Sequence, residues 1–344
     1  HSIRRRQRQM CIRDSMIGNW YTTLGAVERW WGPGWNSSLI MSNNARPPPG
    51  ILVQRNQSFA SKLPLLSYLG PWTASVSIAH LDDDRYVANA KLIGMTLGIR
   101  PRRDLEINFR RSAQWGGENR PEDLGNLVSL ITGLADNCDD AACRLNEPGN
   151  QLGGIDFRWT IPKLNAAIYA QTVGEDEAGG LPSRRASQLG VQMSLDTSGY
   201  SGIAFAQYTD TSIRSFDSHY NILYNHSIYK TGYRYRGRAI GATWDNDSQV
   251  FSLGTLGRSV NGDLFDLRYS YGSINKDSVD SGLPTPHSVS PSGSDLSQFS
   301  ASWQRAYRWG SLKINARYNK NPLTDFDSNA VPFQVGGSIH YSIR

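Results

Sequence analysis

Apolar and polar side chains alternate along most of this chain with a period of two, in segments bounded by Gly, Asn, Asp, Ser and Pro. Phe265, Leu267, Tyr269 and Tyr271 fall on one side of such a segment, with Asp266, Arg268 and Ser270 on the other. Leu312, Ile314, Ala316 and Tyr318 alternate with Lys313, Asn315, Arg317 and Asn319. The same reading holds for Ile155, Phe157 and Trp159 against Asp156, Arg158 and Thr160, and for Phe333, Val335 and Ile339 against Gln334, Ser338 and His340. Successive side chains of a strand point to opposite faces, so this pattern predicts strands lying between two unlike solvents. About 14 to 16 segments have the ~9 to 11 residues that a tilted membrane-crossing strand requires.

A soluble sandwich would alternate too, so other features decide. Tyr269, Tyr271, Tyr318 and Tyr341 sit near the ends of apolar faces, where a membrane protein carries its aromatic girdles. The opposite faces carry full charges, which suits a wet or plugged lumen. Tight turns such as Asp196-Thr197-Ser198-Gly199 alternate with long loops, the longest from Gly116 to Gln151 and from Ser273 to Asp295. The pattern therefore predicts an all-β fold: an antiparallel transmembrane β-barrel of the bacterial outer membrane, its long loops outside the cell. Leu127, Leu130, Ile131 and Leu134 recur at helical spacing, so Leu124 to Ala135 is expected to form a short helix over or in the barrel mouth.

Composition modifies this picture little. The mean hydropathy of −0.47 resembles that of a soluble protein, but alternating strands are polar on average. No run approaches the ~20 apolar residues of a membrane helix. Of the net charge of +6, residues 1–15 alone contribute +4 through Arg4, Arg5, Arg6, Arg8 and Arg13 against Asp14. That segment lacks periodicity and a signal-like apolar core, and reads as a non-native or disordered basic leader to a barrel spanning 16–344. Without it the charge points to no nucleic-acid partner. Cys138 and Cys143, in one polar loop, are a disulfide candidate for an oxidising compartment, with free thiols as the alternative. The chain stops at Arg344, one residue short of the aromatic terminus common in outer-membrane proteins.

Three clusters carry candidate chemistry. The first is Glu28-Arg29-Trp30-Trp31-Gly32-Pro33-Gly34-Trp35-Asn36, followed by Ser42 to Pro47; the second is Gln114-Trp115-Gly116-Gly117-Glu118-Asn119-Arg120; the third runs from Tyr229 to Arg238 and on to Trp244-Asp245-Asn246-Asp247. Aromatic rings stack on sugar faces, while amides and guanidinium groups bind hydroxyls and carboxylates. Candidate polysaccharide contacts are accordingly Trp31, Trp35, Arg46, Trp115, Asn119, Arg120, Tyr233, Arg234, Tyr235 and Arg236. The competing reading is that Tyr and Arg in the third cluster pair internally to hold a plug or loop.

These runs, RWWGPGWNSSLIMSNNARP, QWGGENRPEDLGN, EPGNQLGGIDFRW and SIYKTGYRYRGRAIGATWDNDS, resemble the hallmark segments of the Wzi capsule-assembly family, in order and over most of the chain. The resemblance implies a barrel of about 18 strands, a helical plug domain ahead of much of it, and a lectin-like role holding capsular polysaccharide. It also implies that the plug and first strands precede this chain. The expected partners are capsular or related exopolysaccharide, outer-membrane lipid and, during biogenesis, the barrel assembly machinery, with the protein acting as a monomer. Two rivals stand beside this reading: a diffusion channel for small solutes or oligosaccharides, and a surface enzyme acting on polysaccharide. The enzyme reading is disfavoured, because Gly199-Tyr200-Ser201-Gly202-Ile203 fails the nucleophile-elbow pattern at its last position. Histidines lack metal-ligand spacing, and Asp82-Asp83-Asp84 and Asp245-Asn246-Asp247 match no complete calcium loop. No catalytic residue, metal or cofactor is expected.

Overall fold

The computed structural model describes residues 13–132, 149–175, 185–214, 218–278, 286–323 and 330–341. Its framework is one antiparallel sheet of 17 strands that runs in chain order. The strands are β1 (Arg13–Ile17), β2 (Trp20–Gly25), β3 (Gly50–Arg55), β4 (Phe59–Ala60), β5 (Pro71–His80), β6 (Lys91–Arg102), β7 (Leu105–Trp115), β8 (Gly149–Ile161), β9 (Ala166–Glu175), β10 (Arg185–Asp196), β11 (Tyr200–Arg214), β12 (Ser218–His219), β15 (Gln249–Ser259), β16 (Leu264–Ile274), β17 (Ser294–Tyr307), β18 (Gly310–Asn319) and β19 (Phe333–Tyr341). A separate hairpin joins β13 (Arg234–Tyr235) to β14 (Arg238–Ala239). With β4 and β12 only two residues long, fifteen main strands remain, within the expected number. Among the described residues no ladder joins β19 to β1. Strand β1 takes in Arg13, Asp14 and Ser15, which periodicity left in the leader; residues 1–12 and the Cys138–Cys143 pair lie outside the described residues.

Burial runs opposite to that of a soluble protein. On β10, Leu189, Val191 and Met193 are 60%, 49% and 53% exposed, while Gln188 on the other face is 1% exposed. Phe109, Ile155, Phe157, Leu253, Tyr269 and Ile314 are exposed, whereas Asn108, Asp156, Gln171, Gln207, Ser252 and Ser270 are buried. A continuous apolar outer band over a polar interior is stable only where the outer solvent is hydrocarbon. Trp20, Trp159, Tyr307 and Trp309 edge the band at one rim, with Tyr208, Tyr271 and Tyr318 toward the other. This is an outer-membrane barrel wall.

The connections sort by length. Those spanning 18–19, 103–104, 162–165, 197–199, 260–263 and 308–309 are short and share one rim, together with the 56–70 connection, which holds helix α1 (Pro64–Ser67). The connections 26–49, 81–90, 116–148, 215–248 and 275–293 share the other rim. Helix α2 (Leu124–Thr132) forms where expected, but it lies against the outer wall and not in the mouth. The reason is register: Trp115, Ala113 and Ile93 share the outward face of β6 and β7, and Leu130 packs on them.

Candidate functional site

Two long connections fill the lumen. Residues 26–49 leave β2, cross the interior with little regular structure, and return to β3. An irregular buried segment must still satisfy its backbone donors and acceptors. Here the polar faces of the strands do so. Gln207 Oε1 accepts from the Trp35 amide at 2.9 Å, Gln171 accepts from the Leu39 amide at 2.9 Å, and Gln171 Nε2 donates to the Trp31 carbonyl at 2.8 Å. Trp35 Nε1 donates to Gln192 at 2.8 Å, Asn36 to Ser252 at 2.8 Å, Arg268 to the Trp35 carbonyl at 2.9 Å, and Arg158 to the Pro33 carbonyl. The segment passes so close to the wall that a Cβ on Gly34 would lie 1.7 Å from Gln188 Nε2.

The second segment, 220–248, packs on the first. Ser42 N donates to the Ile240 carbonyl at 2.9 Å, Asn44 Nδ2 to the Ala239 carbonyl at 3.0 Å, and Tyr224 Oη to the Leu39 carbonyl at 2.5 Å. Tyr233 Oη donates to Ser112 at 2.7 Å and Tyr229 Oη to the Gly116 carbonyl at 3.0 Å, tying the segment to the wall. Burial pushes the Tyr224 and Tyr233 phenols up, so both stay neutral donors. Arg236 and Gly237, at φ 50° and 73°, form the tip of the hairpin; two consecutive positive φ values are what a tight two-residue hairpin turn requires.

The centre of this segment is a buried ion pair. Arg234 donates to both Asp245 oxygens at 2.8 and 3.0 Å, to Asn246 Oδ1 at 2.9 Å and to Asn225 Oδ1 at 2.8 Å. Ser288 N donates to Asp245 at 2.8 Å, drawing in the connection that leads to β17. Burial alone would raise the Asp245 carboxyl, but Arg234 and His287 hold it well below the usual range. Asp247 is the converse: burial first, and the Asp277 charge after it, push its carboxyl up to about 7.

The candidate sugar residues thus divide. Trp31, Tyr233, Arg234 and Tyr235 are buried in the plug, and Trp35 is half-buried there. Trp115 faces outward beneath α2, with Lys91 5.9 Å from its ring. Arg46, Asn119 and Arg236 are exposed at the long-loop rim, and Arg120 is half-buried there. Sequence reasoning missed the wall glutamines and serines, whose signal was their repetition on the polar side of β9, β10, β11, β15 and β16.

The capsule-assembly protein Wzi family model matches residues 15–330. The chain belongs to the Wzi family. An uncharacterised 55.8 kDa protein from the cps region of Klebsiella pneumoniae is 39% identical over 168 residues, which is 48% of this chain and 32% of that protein. The chain therefore spans about a third of that relative's length. The solved Wzi of Escherichia coli, described as a carbohydrate-binding β-barrel of the outer membrane involved in group 1 capsule assembly, matches with a TM-score of 0.80 and 26% identity. That match covers 95% of this chain and 68% of the other. The Wzi family match spans all three Trp-, Asn- and Arg-rich runs.

Proposed function

We propose that this protein is a non-enzymatic lectin that binds capsular or related exopolysaccharide and holds it at the cell surface. The observation that carries the reading is that the chain's own connections 26–49 and 220–248 occupy the lumen against β5 to β16, beneath a rim that exposes Arg46, Asn119 and Arg236. A lumen obstructed by the chain's own connections suits holding a polymer better than passing solutes, and the carbohydrate binding described for the E. coli relative supports the same ligand class. The reading has the protein act as a monomer, with its apolar outer face in lipid and its insertion left to the barrel assembly machinery.

The test is the ratio of cell-attached to shed polysaccharide in an encapsulated host lacking its own homologue. Complementation should restore attachment, and a surface-expressed Arg46→Ala/Asn119→Ala/Arg236→Ala variant should not. No change with either protein would remove the capsule role. Shortening of the polymer on prolonged incubation would replace the lectin with an enzyme, and a large steady single-channel conductance would replace it with a pore.

A further inference from the structure

The outward faces of β6 and β7 are apolar along the wall, with Met95, Leu97 and Ile99 on the one and Ile107, Phe109 and Ala113 on the other. Arg111 interrupts them. It shares the outward face of β7 with the exposed Phe109 and lies four positions before Trp115, the residue that ends the strand at the long-loop rim. A guanidinium turned toward hydrocarbon is stable only where its long side chain carries the charge to the headgroup level or finds a partner there. Strands β6, β7 and β8 are each hydrogen-bonded along both edges, so Arg111 stands in continuous wall, away from either end of the sheet.

The surroundings of that charge are unlike the lumen, where arginines meet carboxylates and carbonyls. Among the described residues Arg111 donates to Gln151 Oε1, a neutral acceptor that stands opposite Ala113 and so one side-chain step nearer the loop rim. Its Nε is buried without a partner among those residues, and a guanidinium offers more donors than one amide oxygen can satisfy. Opposite Arg111 on β8 is Gly153, where an added Cβ would meet nothing within 4 Å. The wall beside the guanidinium is therefore bare. Helix α2 lies next to it on the rim side: Leu127 and Leu130 pack on the wall, and Ile131 lines the same crevice as Arg111. Leu124 and Val128 are exposed on the helix. A short helix that is apolar both toward the wall and away from it is at home in a lipid leaflet and not in water.

We propose that Arg111, the bare wall at Gly153 and helix α2 form a seat for one molecule of outer-leaflet glycolipid, with its phosphate on the Arg111 guanidinium and its acyl chains along Phe109, Leu124 and Val128. Connection length puts this end of the wall at the cell surface, where the leaflet of a bacterial outer membrane is built of phosphorylated glycolipid. The seat is continuous with the apolar outer band, so a bound lipid needs no opening in the barrel. Arginine suits the headgroup because its planar fork gives a phosphate two parallel donors. The inference rests on the place of the barrel in the outer membrane and is independent of the polysaccharide reading.

The probes are bisphosphorylated lipid A, its dephosphorylated counterpart and phosphatidylglycerol, each titrated into the protein after delipidation in mild detergent, with bound lipid counted by native mass spectrometry. Lipid A should bind about ten-fold more tightly than the dephosphorylated form, as one charge-assisted contact implies. Arg111→Gln should abolish that preference and Arg111→Lys should keep most of it, with heat-modifiable migration on gels showing a folded barrel in both. Leu124→Ser/Val128→Ser should weaken the two forms of lipid A alike. Equal binding of the two forms, or an unchanged preference in Arg111→Gln, would overturn the seat and leave the lectin reading untouched. Phosphatidylglycerol binding as tightly as lipid A would overturn the assignment to a glycolipid.

Discussion

At the scale of single residues, the lumen is governed by what buried polar groups demand. Arg234 is 1% exposed and its partner Asp245 fully buried, so removing one member leaves the other as an uncompensated charge. Arg234→Ala should cost about 3 to 5 kcal/mol of unfolding free energy in urea titration, far more than a surface arginine. Asp247 predicts a pH dependence. Its carboxyl is raised from the ordinary carboxylate range to about 7, so the folded protein holds a proton that the unfolded chain releases. Its contribution to stability falls as pH rises from about 4 to 7 and is flat above. His287, lowered by burial from 6.5, works in the opposite sense, its contribution rising as pH climbs to that value. In Asp247→Asn the falling component between about pH 4 and 7 should vanish from the denaturant midpoints, leaving the rising contributions of His287 and of carboxylates held low, Asp245 among them. An identical pH profile in variant and parent would refute this assignment. The sequence offered internal pairing of the Tyr- and Arg-rich run as one of two readings, but eleven positions separate Arg234 from Asp245, and only the fold of 220–248 selects that partner.

At the scale of elements, the strand faces were legible and the connections were not. Alternation placed Leu189, Val191 and Met193 together, and the structure exposes all three. A charge there should be tolerated on a soluble surface and penalised in lipid. Val191→Arg is expected to destabilise the barrel by about 2 to 4 kcal/mol in vesicles if the residue lies near the bilayer midplane, and a change below about 0.5 kcal/mol would argue against lipid contact at that strand. The helix α2 was legible from its apolar spacing, but its docking on the outer wall depends on the outward register of Trp115 and Ile93. The Trp-rich 26–49 segment looked like a sugar site because aromatic and amide groups serve glycan binding and plug packing equally well. Gln171 and Gln207, on strands more than a hundred residues away, decide between those uses by capping its backbone.

At the scale of the whole molecule, connection length assigns the two rims. Arg236→Cys, at the hairpin tip, should react with a membrane-impermeant maleimide on intact cells, and Arg103→Cys, in the short 103–104 turn, should react only after the outer membrane is opened, both in a background with the native cysteines replaced by serine. The reverse labelling would invert the barrel. The sequence by itself determined the strands, their two faces and the membrane they cross, because a period of two is a local property imposed by the unlike solvents on either side of a sheet. It also held the family resemblance, since the hallmark runs are contiguous. Only the tertiary structure decided that Trp31, Tyr233, Arg234 and Tyr235 are spent on the plug and that Arg46, Asn119 and Arg236 remain exposed. Those outcomes depend on which connection enters the lumen and which wall it satisfies, a matter of contacts between residues far apart in the chain.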